Sequence, residues 1–140
     1  MDAALRFYRD VLDLRVTHDT VEEFSQGTGQ PLAKRRAVYL RWGDDPRGCF
    51  VVLDQQITHD TKGEPAALFQ MGVHHFAFWV DDLDAVMARV RDAGLPIVLG
   101  GEGPGVDTVW WGEPAGGGLI RSAILRDFEG NYVQLDQRAS

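Results

Sequence analysis

Few side chains in this 140-residue chain are suited to chemistry. It has four histidines, His18, His59, His74 and His75, each able to hold a metal or move a proton near neutral pH. Two arginines in strand-like surroundings, Arg41 and Arg121, could each grip a carboxylate through two N–H groups. The same guanidinium groups could equally pair with Asp54 and Asp136, because buried ionisable groups are usually partnered whatever their role. Cys49 is the single cysteine, so no disulfide framework exists, and it reads as a small apolar residue at a strand end. Glycine-rich runs at 100–105 and 112–118 flank Thr108-Val109-Trp110-Trp111, but they lack the strand, Gly-Lys and helix order of a phosphate cradle. They read as hairpin loops, with the two tryptophans either a lid over a ligand or cover for the end of the core.

The elements that must position these groups come in two copies. Arg47–Gln55 returns as Glu129–Gln137, with Gly48 landing on Gly130, an offset of 82. The same offset carries Asp2-Ala3 onto Asp84-Ala85, Arg9-Asp10 onto Arg91-Asp92 and Val16 onto Val98. One offset joining helix-like and strand-like stretches implies two copies of one supersecondary unit. The spacing predicts an amphipathic helix over 2–13, with Ala4, Leu5, Tyr8, Val11 and Leu12 as its apolar stripe. Its counterpart is 83–93, capped by Asp81 or Asp82 and ended by Gly94 and Pro96. Short extended pieces follow at 14–17 and 95–98. Strand pairs then come at 36–42 with 49–55 and at 119–126 with 131–137. A further strand at 73–80 precedes the second helix. The first copy lacks this leading strand, since 82 positions before His75 falls ahead of Met1. Either the start lies further upstream or a neighbouring chain fills the slot, because unpaired sheet edges are costly when buried and adhesive when exposed.

Alternation along the strands sorts side chains into two faces. Phe76, Phe78 and Val80 would pack under the helices, leaving His75, Ala77 and Trp79 on the other side; His74 would point away from His75. Val133 and Leu135 would take the helix side and Tyr132, Gln134 and Asp136 the inner side. The repeat then places Phe50, Val52 and Asp54 inward, with Val38, Leu40 and Trp42 in the core. On the remaining strands Tyr39, Arg41, Arg121 and Ala123 would also face inward. Such a cavity, aromatic and with two arginines, suits a small aromatic or anionic organic ligand, with Tyr39, Arg41, Phe50, Trp79, Arg121 and Tyr132 as its contacts. His18 and His59 read as loop residues at the surface.

Composition narrows the field. The net charge of −7 argues against nucleic acid or an anionic membrane as partner, and no apolar run approaches a membrane span. The opening residues have no signal-peptide order, so a cytoplasmic protein is expected.

Three motifs carry a family resemblance. Leu5-Arg6-Phe7-Tyr8-Arg9-Asp10-Val11-Leu12-Asp13-Leu14 is similar to a family helix end of the form FYrdvLGL. His75-Phe76-Ala77-Phe78 followed by Val80-Asp81-Asp82-Leu83 is the second. Leu125-Arg126-Asp127-Phe128-Glu129-Gly130-Asn131-Tyr132-Val133-Gln134-Leu135 is similar to an RDPDGNxhEL ending. Together they resemble the vicinal oxygen chelate superfamily of glyoxalases, bleomycin-resistance proteins and extradiol dioxygenases. The resemblance implies an α+β fold of two βαβββ modules forming a cupped, partly open mixed sheet with helices outside. Module one would span 1–56, a linker 57–72 and module two 73–138 of one domain, and a homodimer is the usual assembly.

In metal-using members four ligands come from the leading and last strands of both modules, which here would be His75 and Gln134 in the second. The repeat places Val52 opposite Gln134, and valine cannot ligate. One imidazole and one amide fall short of the three protein ligands a divalent ion normally needs. The expected function is therefore a binder of a small aromatic or anionic ligand with an incomplete metal site. The alternative is a metal-dependent glyoxalase-type lyase or ring-cleaving dioxygenase, using iron, manganese, zinc or nickel with ligands completed from upstream or a partner chain. A third possibility is a cofactor-independent isomerase or lyase with Tyr132 or Asp136 as acid or base.

Overall fold

The computed structural model describes residues 1–60, 62–65, 67, 69, 71–100 and 119–138, together with the backbone of 106–109. The chain divides into two units, Met1–Glu64 and Pro65–Ser140. Both are α+β, each an open sheet with one helical segment. Trp110, Trp111 and most of the two glycine-rich runs lie outside the described residues.

In the first unit a short helix α1 (Asp2–Leu5) passes into a wider π-helical turn, Arg6–Val11. The Leu12 N–H donates to the Phe7 carbonyl at 3.0 Å, a step of five residues instead of four. The helix ends where Asp13 takes a left-handed φ of 63°. In the second unit α2 (Leu83–Asp92) ends at Gly94, φ 66°. From Asp2 to Asp13 there is one residue more than from Asp84 to Gly94, and the widened turn takes up that extra residue. Asp82 caps α2, accepting from the Ala85 N–H at 2.9 Å.

Three antiparallel strands make the first sheet in the order β1-β2-β3: β1 (Arg15–Ser25), β2 (Leu32–Arg41) and β3 (Phe50–Gln56). β1 runs well past the short extended piece expected at 14–17, with a bulge between Val16 and His18. His18 is thus a strand residue opposite Tyr39, not a loop residue. In the second unit β4 (Phe76–Trp79), β5 (Ile97–Leu99), β6 (Val106–Val109), β7 (Leu119–Arg126) and β8 (Tyr132–Arg138) form a sheet ordered β4-β8-β7-β5, with β6 also paired to β7. β4 lies parallel to β8; the other pairings are antiparallel. It begins at Phe76, so His74 and His75 precede the strand.

Buried Leu5, Phe7, Leu12 and Leu14 from the helical end, with Val38 and Leu40 of β2, make the apolar core of the first unit. Leu83, Met87 and Val90 of α2, with Leu125, Val133 and Leu135, make that of the second. Trp42 stands just beyond β2, 38% exposed, its indole N–H donating to the Leu12 carbonyl at 3.1 Å.

The expected faces hold for β3 and β8 but not for β7, and on β4 Phe76, expected to pack under the helices, is 47% exposed. Arg41 pairs with Phe50 across eight intervening residues, whereas Arg126 pairs with Tyr132 across five. The offset of 82 that relates β3 to β8 therefore becomes 85 between β2 and β7. Three is odd, and an odd shift along a strand turns every side chain to the other face. Arg121 is consequently the mate of Arg36, not of Tyr39. Both arginines face the helices and meet an acid there: Arg121 Nη2 lies 2.7 Å from Asp84 Oδ1, and Arg36 lies 3.7 Å from Asp2 and 2.7 Å from Asp19. Asp2 and Asp84 are themselves repeat mates. Ala123, expected inward, is fully buried beside Leu135 on the helix face.

Two outcomes follow from this packing. Leu135→Ala should lower unfolding free energy by about 2–5 kcal/mol in urea titration, because a fully buried side chain leaves a cavity; Val52→Ala, on an exposed position, should cost well under that. The Arg121 hydrogen bond holds the Asp84 carboxyl below its ordinary range, and Arg36 does the same for Asp19. A depressed folded-state pKa gives stability that is present above the unfolded value of about 3.9 and is lost as pH falls through the depressed one. Asp84→Asn should remove its share, so the acid limb of a stability-against-pH curve becomes shallower below about pH 4.

Candidate functional site

On the first sheet, the face turned away from α1 carries a row of rings. His18 on β1 meets Tyr39 on β2 edge to face at 5.8 Å, and Tyr39 stacks on Phe50 of β3 at 5.9 Å with an interplanar angle of 27°. They come together because His18, Tyr39 and Val52 are cross-strand partners and Arg41 is paired with Phe50. Arg41 lies over the Phe50 ring, its guanidinium carbon 4.7 Å from the centroid. Its Nη1 donates to the Gly48 carbonyl at 2.8 Å and to the Pro46 carbonyl at 3.4 Å. Among the described residues nothing engages Nε or Nη2. The ring and the turn carbonyls fix the guanidinium plane, so it can receive an anion at little cost in side-chain ordering.

A pocket of about 330 Å³ opens here, lined by Thr17, His18, Glu22, Tyr39 and Arg41. Asp54, on the same face, does not pair with Arg41. It accepts from Arg35 Nη1 at 2.7 Å, and Arg35 also bonds Glu22 at 2.6 Å. The Glu22 hydrogen bond is the main reason the Arg35 pKa is raised, against the opposing effect of burial. Arg35 thus engages both acids at the pocket's edge, and neither carboxylate pairs with Arg41. His18 and Glu22 lie beyond the extended piece that the sequence predicts at 14–17, and Thr17 ends it. The alternating Thr20, Glu22 and Phe24 was the signal that it continues.

The second unit repeats part of this arrangement. Arg126 lies 4.8 Å over Tyr132 and its Nε donates to the Gly130 carbonyl at 3.1 Å. The mates are complete: Arg41 with Arg126, Phe50 with Tyr132, Gly48 with Gly130. Arg126 therefore holds the place expected for Arg121. Trp79, 44% exposed, has Arg138 4.9 Å over its ring, beside a pocket of about 420 Å³ lined by Trp79, Val80, Asp81, Gln137 and Arg138. Asp136 is buried, accepting from Ser122 Oγ at 2.6 Å and from Gln134 Nε2 at 2.9 and 3.0 Å. A carboxylate so engaged is a structural anchor.

The expected metal ligands do not make a set. His75 Nδ1 lies 2.6 Å from His74 Nδ1, so the two rings meet where opposite directions were expected. The residues precede β4, and strand alternation does not govern them. The Gln134 amide nitrogen is spent on Asp136, and its mate Val52 offers no donor. No three of His, Cys, Asp and Glu converge among the described residues. With His74 and His75 turned onto each other and no three such side chains converging, the residues described do not fit a divalent site, which normally takes at least three protein ligands.

Comparison with known proteins agrees with the architecture. A glyoxalase family protein from Bacillus cereus superposes with a TM-score of 0.73 at 18% identity, covering 100% of this chain and 87% of that one. An antibiotic binding protein from Streptomyces gives 0.55 at 18%, covering 99% and 86%. A fosfomycin resistance protein from Listeria monocytogenes, complexed with manganese and a dihydroxypropylphosphonic acid, gives 0.54 at 14%, covering 99% and 84%. At these identities the likeness is one of fold. No curated protein sequence matches the chain. A family model does, over residues 1–108, and by that match the chain belongs to the Glyoxalase/Bleomycin resistance protein/Dioxygenase superfamily.

Proposed function

We propose that this protein binds a small aromatic, anionic organic molecule on the open face of its first sheet, without turnover, as a homodimer in the cytoplasm. The observation that carries this is Arg41, clamped over Phe50 with two nitrogens unengaged among the described residues, beside Tyr39 and His18. An aromatic ring would extend the stack while its carboxylate meets Nε and Nη2 side by side. On the second sheet Trp79 and Tyr132 would offer aromatic contacts of their own. A protein of the same fold binds an antibiotic, which supports capture as a use of this architecture. A lyase or dioxygenase reading would require His75 and Gln134 to be joined by ligands that the described residues do not supply.

Calorimetric titration with benzoate and neutral benzamide tests the reading. Benzoate should bind the wild type, and Arg41→Met should weaken it by about ten- to a hundredfold, the worth of a charge-assisted hydrogen bond. Benzamide should be little affected. Equal losses for both probes, or no binding of benzoate, would remove Arg41 as the anion seat. Elemental analysis after incubation with iron, manganese, zinc and nickel addresses the rival. Wild type and His75→Ala should retain the same substoichiometric traces; a full equivalent present only in the wild type would favour the metalloenzyme.

A further inference from the structure

The pocket on the first sheet carries charge of opposite sign at its two ends. At one end Arg41 is the cation, and Arg15, its cross-strand partner on β1, is held by Asp44 of the following turn. At the other end Glu22, Arg35 and Asp54 form one hydrogen-bonded group of two carboxylates and one guanidinium, so that end stays negative. The two acids are not used alike. Asp54 gives one oxygen to Arg35 and the other to the Gln56 amide. Arg35 meets Glu22 through Nε at 2.8 Å and Nη2 at 2.6 Å, and both bonds fall on Oε1. Glu22 Oε2 has no partner among the described residues, and Glu22 lines the pocket. Between the two ends the surface is aromatic and then low. His18 is paired with Tyr39, Thr20 with Ala37 and Glu22 with Arg35. Ala37 is small and fully buried, so no large β2 side chain stands between the Tyr39 ring and Arg35.

We propose that Glu22 is a second recognition point of this pocket, and that its ligand is an elongated aromatic acid bearing an amine at the end remote from its carboxylate. This deepens the function read above and rests on it, since Arg41 must take the carboxylate. The ammonium donates to Glu22 Oε2 in a charge-assisted hydrogen bond while the rings lie along His18 and Tyr39. Arg35 is not displaced, because Oε1 alone holds it. Register sets the length of the ligand. Arg41 stands six residues beyond Arg35, the partner of Glu22. By the rise of a strand the two backbone levels are about 20 Å apart, before the long side chains of both shorten the gap. A single ring seated at Arg41 falls short of Glu22, whereas two linked rings with a short aminoalkyl arm span the distance.

Calorimetry at neutral pH with 4′-aminoalkyl-biphenyl-4-carboxylates of one to three methylenes, each against its uncharged alkyl counterpart, tests this. In the wild type one arm length should bind about tenfold tighter than its counterpart, the worth of one charge-assisted hydrogen bond. Glu22→Gln keeps an oxygen for Arg35 and should erase that gain while leaving the counterpart's affinity in place. Asp54→Asn removes an equal charge from the same group but leaves Glu22 Oε2, and should retain most of the gain. Arg41→Met should weaken amine and counterpart alike. No gain at any arm length, or a gain that survives Glu22→Gln, overturns the second recognition point and leaves the Arg41 seat standing. Equal losses of the gain in Glu22→Gln and Asp54→Asn would reduce it to the field of the whole group and overturn the contact at Oε2. Failure of every biphenyl acid and of benzoate to bind overturns the Arg41 seat itself, and this inference with it.

Discussion

The parity of two hairpins decides which side chains lie on the open faces of the two sheets. Pleating sends neighbouring residues to opposite sides of a sheet, so one strand is oriented relative to the next by the number of residues between paired positions. That number is eight in the first unit and five in the second. The difference turns β7 over relative to a simple 82-residue repeat. Arg121 goes to the helix side, where it meets Asp84, and Arg126 comes to the open face over Tyr132. The make-up of both open faces depends on this geometry.

Once the pairing is read in its own register, the two units agree in detail. Each has an arginine on the helix face beside an acid that opens the helix, and another on the open face clamped between a turn carbonyl and an aromatic ring. Duplication of the clamp shows that it serves the fold by locking a hairpin end. In the first unit the same clamp leaves part of the guanidinium unengaged among the described residues, beside a row of rings, and the proposed ligand would use that part. Glu22 and Asp54, on the same face, are held by Arg35 and not by Arg41.

Among the described residues β8 is paired on both edges and β3 with β2 alone. Local sequence is alike, yet the apolar side chains of β8 are fully buried and those of β3 are not. On β8, Val133 and Leu135 are paired with Phe76 and Phe78 of β4 and lie beside Leu125 and Ala123 of β7. A strand's burial is thus a property of what lies beside it as much as of its own residues.

Taken alone, the sequence determined the duplication, the α+β class, both helical segments and most strands, because periods of two and 3.6 are written directly in the apolar positions. It also determined that Tyr39, Arg41 and Phe50 share a face, since they sit on strands of clear alternation. It did not determine the long β1, whose polar residues mask its pattern, the π-helical turn that absorbs one inserted residue, or the places of Arg121 and Arg126. Nor did it show that His74 and His75 meet ring to ring. Only the tertiary structure decided those, because they depend on hairpin register and on where a strand begins. Both are set by pairing between segments distant in sequence, and no local pattern records them.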